Sequence, residues 1–457
     1  MPDSQPQEPA QPDRDAPLPA GGPPGASRNA SPDTSPDASS AGAPLPRPAA
    51  LVLCGARLAD GRTVDVRIGG GRIEAVGTAG SLSSPAPPWA TRVDLTGYLL
   101  LPAPAEPHAH YDTALTADTG GGAGGNPGRD TDGGPEASAH GPWDPYDPGR
   151  VQRRAAEAAL LQLGHGATAV RTHVRVGDVA GLRALRAVLR ARRALHGLTD
   201  LTAVAVPRLL TGAAGADGLA MLRDAVGMGA TAVGGCPDLD PDPAGYVEAV
   251  LEVAAEHGRA VDLHTDGSDP ARLARLAAVA GGLRPGVAVG PCDGLARLPH
   301  EVAARAAEAL AAAGITVVCL PQGGCGLPPR APGDPRTAPV RLLRSAGVRV
   351  AAGSGALRDT ANPVGRGDPL EAAYLLASHG EADPEAAYGA VSARAREAMG
   401  LPEVRIEAGF PAELLAVRGD TLAGTLSLAY SRLVVHRGRV VARTSAVREY
   451  CDATDPA

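Results

Sequence analysis

Short apolar runs alternate with helix-patterned segments through the middle of this chain, and eight such runs pass before the alternation stops. The first lies within Tyr98–Asp112. The others are Ala167–Val176, Leu201–Arg208, Ala230–Cys236, Arg259–Asp266, Gly286–Pro291, Gly314–Pro321 and Val348–Gly355. Between them, segments such as Val151–Leu163, Val179–Leu195, Ala244–His257 and Glu301–Ala313 carry Ala, Leu and Arg at helical spacing. Strand–helix alternation repeated eight times predicts an α/β fold, a (β/α)8 TIM barrel. An open doubly wound sheet is the competing arrangement. No GxGxxG stands between a strand and a helix, which speaks against a dinucleotide site.

The length of 457 residues suits a barrel plus a smaller domain. Hydrophobic residues make up 44% and aromatics only 2%, so Ala, Val and Leu must fill the core. With a net charge of -7, nothing suggests a nucleic-acid footprint, which would need a basic face. No apolar run approaches the roughly 18 residues of a membrane span. The N-terminus lacks a basic-then-apolar signal pattern. Cysteines at 54, 236, 292, 319, 325 and 451 form no CxxC pair, which fits reduced thiols and a cytoplasmic location.

Residues 1–48 are Pro/Ala/Ser-rich with almost no branched apolar side chains, and read as disordered. Short strand-like pieces with glycine turns follow in 49–97, among them Leu51-Val52-Leu53, Val64–Ile68 and Arg72–Val76. Similar pieces recur in 405–445, at Ala412–Val417, Arg432–His436 and Arg439–Ala442. Both chain ends are therefore expected to form one small β-sandwich, flanking a barrel over 98–404. A Gly-rich insert at 119–148 interrupts the first strand-to-helix connection and reads as a lid or as disorder.

Barrel enzymes carry their catalytic groups at the C-terminal ends of the strands. The first run ends in His108-Ala109-His110, and alternation along a strand puts both imidazoles on one side. The fifth ends in His264. These three histidines are a candidate facial set for one divalent metal ion, which would acidify a bound water. His173 sits mid-strand and reads as packing; the other histidines fall in loops, helices or the β unit. The sequence holds no lysine, so no carboxylated lysine can bridge a metal pair.

The stretches EPHAHYDTALTAD (106–118), HGATAVRTHVRV (165–176), VAVP (204–207), VDLHTD (261–266) and NPVGRGDPLEAAYLLA (362–377) resemble the amidohydrolase superfamily, in its bacterial cytosine deaminase branch. EAGFPAELLAV (407–417) and RLVVHRGRVVA (432–442) are similar to that superfamily's closing β unit. The resemblance implies a hydrolase acting on non-peptide C–N bonds, deaminating at one iron or zinc ion. It also exposes departures. Where the family has a catalytic Glu three residues after the strand-5 His, this chain has Gly267. The strand-6 His position holds Pro291, and the strand-8 Asp position holds Gly355. A strand-3 Gln that contacts pyrimidine is replaced by Arg208, which would favour a substrate richer in carbonyl or anionic groups.

Asp266, Asp293 and Asp359 lie near enough in sequence to stand in for the lost carboxylates. Two functions remain open at this stage. One is metal-dependent hydrolysis of a C–N bond in a cyclic amidine or amide. The other is a catalytically silent barrel that binds a small molecule or a partner. The expected partner is a small-molecule substrate, with homo-oligomerisation left open.

Overall fold

The computed structural model describes residues 50–82, 90–117, 147–213, 215–323 and 337–447. The 1–48 segment and all but the last two residues of the 119–148 insert lie outside these. The chain begins with β1 (Leu51–Arg57), β2 (Thr63–Gly69), β3 (Arg72–Thr78), β4 (Thr91–Asp94) and β5 (Tyr98–Pro102). Then β6 (Ala105–Ala109), β7 (Ala169–Arg175), β8 (Asp200–Val206), β9 (Ala232–Gly235), β10 (Ala260–Thr265), β11 (Val287–Pro291), β12 (Thr316–Cys319) and β13 (Arg349–Ala352) form a parallel eight-stranded sheet in sequential order. A parallel bridge from Ala109 to Gly355 joins its two edges, so the sheet closes into the expected barrel.

Helices α1 (Pro148–Gly164), α2 (Val179–Ala194), α3 (Gly215–Met228), α4 (Pro243–His257), α5 (Pro270–Ala280), α6 (His300–Ala312), α7 (Val340–Ser345) and α8 (Pro369–Ser378) follow the barrel strands in turn, and α9 (Pro384–Val391) and α10 (Ala393–Ala398) come after α8. Their start points are written in the sequence. α1, α4, α5, α8 and α9 each open on Asp-Pro, the Asp side chain accepting from backbone N–H groups of the first turn. Proline then takes the first helical position, where its missing N–H costs nothing.

The chain closes with β14 (Leu414–Arg418), α11 (Leu422–Leu428), β15 (Arg432–His436) and β16 (Arg439–Thr444). These strands join the N-terminal ones in a second sheet, ordered β16-β15-β14-β5-β1-β2-β3, with β4 beside β1. The β2–β3 turn meets the segment before β14: Ile73 N donates to Phe410 O (3.0 Å) and Ala412 N to Gly71 O (2.9 Å). The sheet thus wraps over its own core, with Leu53, Val66, Ile68, Leu100, Leu414 and Leu433 inside. Both chain ends build it, as expected.

One boundary is corrected. The run Tyr98–Pro102 pairs with β14 in the small sheet, not in the barrel, whose first strand begins at Ala105. Pro102 and Pro104 break the run, and the chain changes sheets there. Among the described residues no helix is long and apolar enough to cross a membrane.

A four-histidine candidate metal centre

In β6, β7 and β10 the residues that point into the barrel bring polar side chains together. β7 and β10 are separated by two strands, so contact between their side chains runs through the interior. One ligand atom from each of His108, His110, His173 and His264 lies within 4.8 Å of every other. Nε2 of His110 is 3.2 Å from Nε2 of His108 and 3.4 Å from Nε2 of His264. Zinc–nitrogen bonds of about 2.0–2.1 Å in tetrahedral geometry put neighbouring donors about 3.3–3.4 Å apart. These two spacings are therefore those of donors sharing one ion.

The three predicted ligands meet, as the HxH spacing required. The structure also brings His173, read from the sequence as packing, into the same group. Its ring centroid lies 4.0 Å from that of His108 and 4.6 Å from that of His264.

All four imidazoles are held neutral. Burial pushes His110 down to about 4 and His264 down to about 3. His108 and His173 are lowered well below their ordinary value, first by burial and then by the neighbouring histidines. Neutral imidazole is the form that ligates metal. Nδ1 of His108 is buried without a hydrogen-bond partner. A cluster of close, uncharged ring nitrogens in a dry interior fits a divalent cation.

Beneath the cluster, Asp262 of β10 is fully buried. Its Oδ2 lies 2.6 Å from Nη2 of Arg171 and 3.4 Å from Nε2 of His173. Arg171 is fixed in turn, Nε donating to Pro107 O (3.1 Å) and Nη1 to Ala398 O (3.0 Å). The HxH segment is clamped too. Glu106 accepts from the His108 N–H (3.0 Å) and the Ser354 N–H (2.9 Å), bridging the seam between β6 and β13. Burial pushes the Glu106 carboxyl up to about 7. An added Cβ on Gly353 would lie 2.4 Å from its Oε1, so a larger residue there would displace this carboxylate. The Tyr111 N–H donates to Thr172 Oγ1 (2.8 Å) and fixes the turn beyond His110.

The candidate carboxylates stay outside this set. Asp266 is partly exposed, accepts from Ser268 and pairs with Arg297 at 3.0 Å. Asp293 is buried next to Cys292, just past β11. Asp359 is buried and accepts from Thr113 Oγ1 (3.1 Å), Ala361 N (2.9 Å) and Asn362 N (3.0 Å). Arg208 is exposed on the loop after β8, its Cβ against Gly177.

Gly267 has φ +72° and Gly355 φ +71°, the left-handed region that glycine favours. Pro291 ends β11, paired with Thr265.

Comparison with known proteins agrees with this fold. The amidohydrolase family matches residues 117–442. A pterin deaminase of Rhizobium rhizogenes is 30% identical over 320 residues, which cover 66% of this chain and 71% of that protein. The crystal structure of N-isopropylammelide isopropylaminohydrolase from Burkholderia multivorans superposes with a TM-score of 0.72 at 27% identity, covering 87% of this chain and 100% of that one. The fold is also that of 5-methylcytosine deaminase from Klebsiella pneumoniae, with a TM-score of 0.72 at 21% identity over 88% of this chain and 99% of that one.

Proposed function

The chain belongs to the amidohydrolase family, and from that premise we propose that it is a metal-dependent, cytoplasmic hydrolase of a C–N bond in a nitrogen-rich cyclic amidine or amide. The observation that carries this reading is the convergence of His108, His110 and His264 as neutral imidazoles at donor spacing for one ion. The relatives support the substrate class, since their names place a pterin and an alkylated ammelide among the compounds they act on. Zinc or iron is the expected metal.

A divalent ion held there would acidify water and polarise the carbon under attack. In the overall reaction water adds to the ring carbon, the bond to the exocyclic nitrogen breaks, and ammonia or an amine leaves with the water's proton. The proton must be carried by the chain. Asp359 is the candidate, because it is buried and held by Thr113 Oγ1 (3.1 Å) of the turn that follows His110. Burial raises its pKa, as a proton carrier requires. Arg208 would meet a carbonyl or anionic edge of the substrate at the mouth.

A second reading has its own observation. Gly267, Pro291 and Gly355 offer no side-chain donor or acceptor, which is what a silent, ligand-binding barrel would show. Metal content of the purified protein, with ammonia or amine release from cytosine, pterin and N-isopropylammelide, separates the two. The hydrolase reading expects stoichiometric metal and turnover abolished by His108→Ala. Protein that stays inactive after zinc or iron is added back overturns it.

A further inference from the structure

Among the described residues, Asp262 is a fully buried acid that the proposed reaction does not use. Both of its oxygens are shielded from solvent and neither accepts a well-aligned hydrogen bond. A bare carboxylate in such a place is costly without compensation. Arg171 at 2.6 Å supplies one positive charge. His173 Nε2 also lies near it, at 3.4 Å. The carboxylate therefore lies against an imidazole edge at the base of the histidine cluster.

Outer carboxylates that face a ligating imidazole are a recurring device of metal sites. They fix the ring's orientation and tautomer and raise its basicity as a donor. Here the geometry supplies both partners. Arg171 and His173 are two residues apart on β7, and Asp262 and His264 two apart on β10, so each pair shares the inward face. The ring of His173 completes a set in which every pair of centroids lies between 4.0 and 5.5 Å.

We propose that His173 is a fourth ligand of the centre, and that Asp262, anchored by Arg171, is the buried counter-charge that aims it. The proposal rests on the metal reading above and deepens it. It gives the centre four neutral nitrogen donors with the negative charge moved one shell out, in place of the acidic ligand missing at Gly355. It also specifies the metal class. An all-imidazole set suits zinc, iron, copper or nickel better than the oxygen-seeking magnesium or calcium.

The test is Co2+ titration of the full-length, metal-stripped protein, followed by its visible absorption. His173→Gln and Asp262→Asn are each expected to weaken Co2+ binding about 10–100-fold and to alter the spectrum. Folding of each variant is checked by circular dichroism. Should either fail to fold, cadmium NMR of the loaded wild type reads the donor set directly, because nitrogen and oxygen donors give different shifts. Folded variants that bind Co2+ as the wild type does, with the same spectrum, overturn this inference alone. So does a cadmium shift that reports fewer than four nitrogen donors. Wild-type protein that binds no Co2+ overturns the metal reading itself.

Discussion

The four neutral histidines make the metal-stripped protein acid-labile in a calculable way. His110 sits at about 4 and His264 at about 3 in the fold, against an ordinary value of 6.5. Folded values below the unfolded one mean that the unfolded chain binds more protons across this window. Stability is then complete above about pH 6.5 and falls as the pH drops toward the folded values. Between roughly pH 7 and 5.5, each histidine that stays neutral in the fold costs about 1.3 kcal/mol. His110 and His264 together give about 2.5 kcal/mol, and all four about 5 kcal/mol, a large part of a typical folding free energy. Urea denaturation of the stripped protein at the two pH values measures this directly. Other titrating groups cancel when the same pair of measurements is made on the His110→Asn, His264→Asn double variant, which should lose about 2.5 kcal/mol less. Equal pH dependence in parent and double variant would refute the reasoning, because the imidazoles would then titrate alike in both states.

Other outcomes follow from particular contacts. Gly267→Glu restores a side chain that the family's chemistry uses, yet at φ +72° and 3.2 Å from Leu295 Cγ it should destabilise by about 1–2 kcal/mol and rescue no turnover, read by denaturation and amine release. Arg432 and Asp368 join the small sheet to α8 through contacts of 2.8 and 2.6 Å, both side chains buried, so Asp368→Ala should cost about 3–5 kcal/mol in urea denaturation. Asp368 is held below its ordinary value by Arg432 despite its burial, so this contribution persists above about pH 4 and fades only in stronger acid. Arg208→Gln should raise KM for an anionic substrate while leaving metal content unchanged, checked by steady-state kinetics and metal analysis.

The barrel was legible because each run is short, apolar and followed by a helical pattern. Tyr98–Leu101 misled because an apolar run says that it is buried, not in which sheet. His173 escaped for a related reason. Every residue from Ala169 to Val174 is buried, so β7 shows no alternation by which an inward imidazole could be told from one packed beneath a helix. The signal that could have found it is the repeated spacing, Arg171 with His173 and Asp262 with His264. Two polar residues at i and i+2 inside otherwise apolar parallel strands must both face something polar.

The resemblance drawn from the sequence expects acids at 267 and 355, where this chain has glycine. Trimming Glu or Asp to Ala would leave the old backbone and an empty place. At 267 and 355 the chain instead has glycine in left-handed conformations, and at 355 that glycine also makes the bridge closing the barrel. The local backbone is therefore organised around the absence of those side chains. What acid remains at the centre lies below it, in Asp262, on a regular strand that does not depend on either loop. A centre whose donors and counter-charge all sit on barrel strands or at their immediate ends keeps its geometry whatever the loops above it carry.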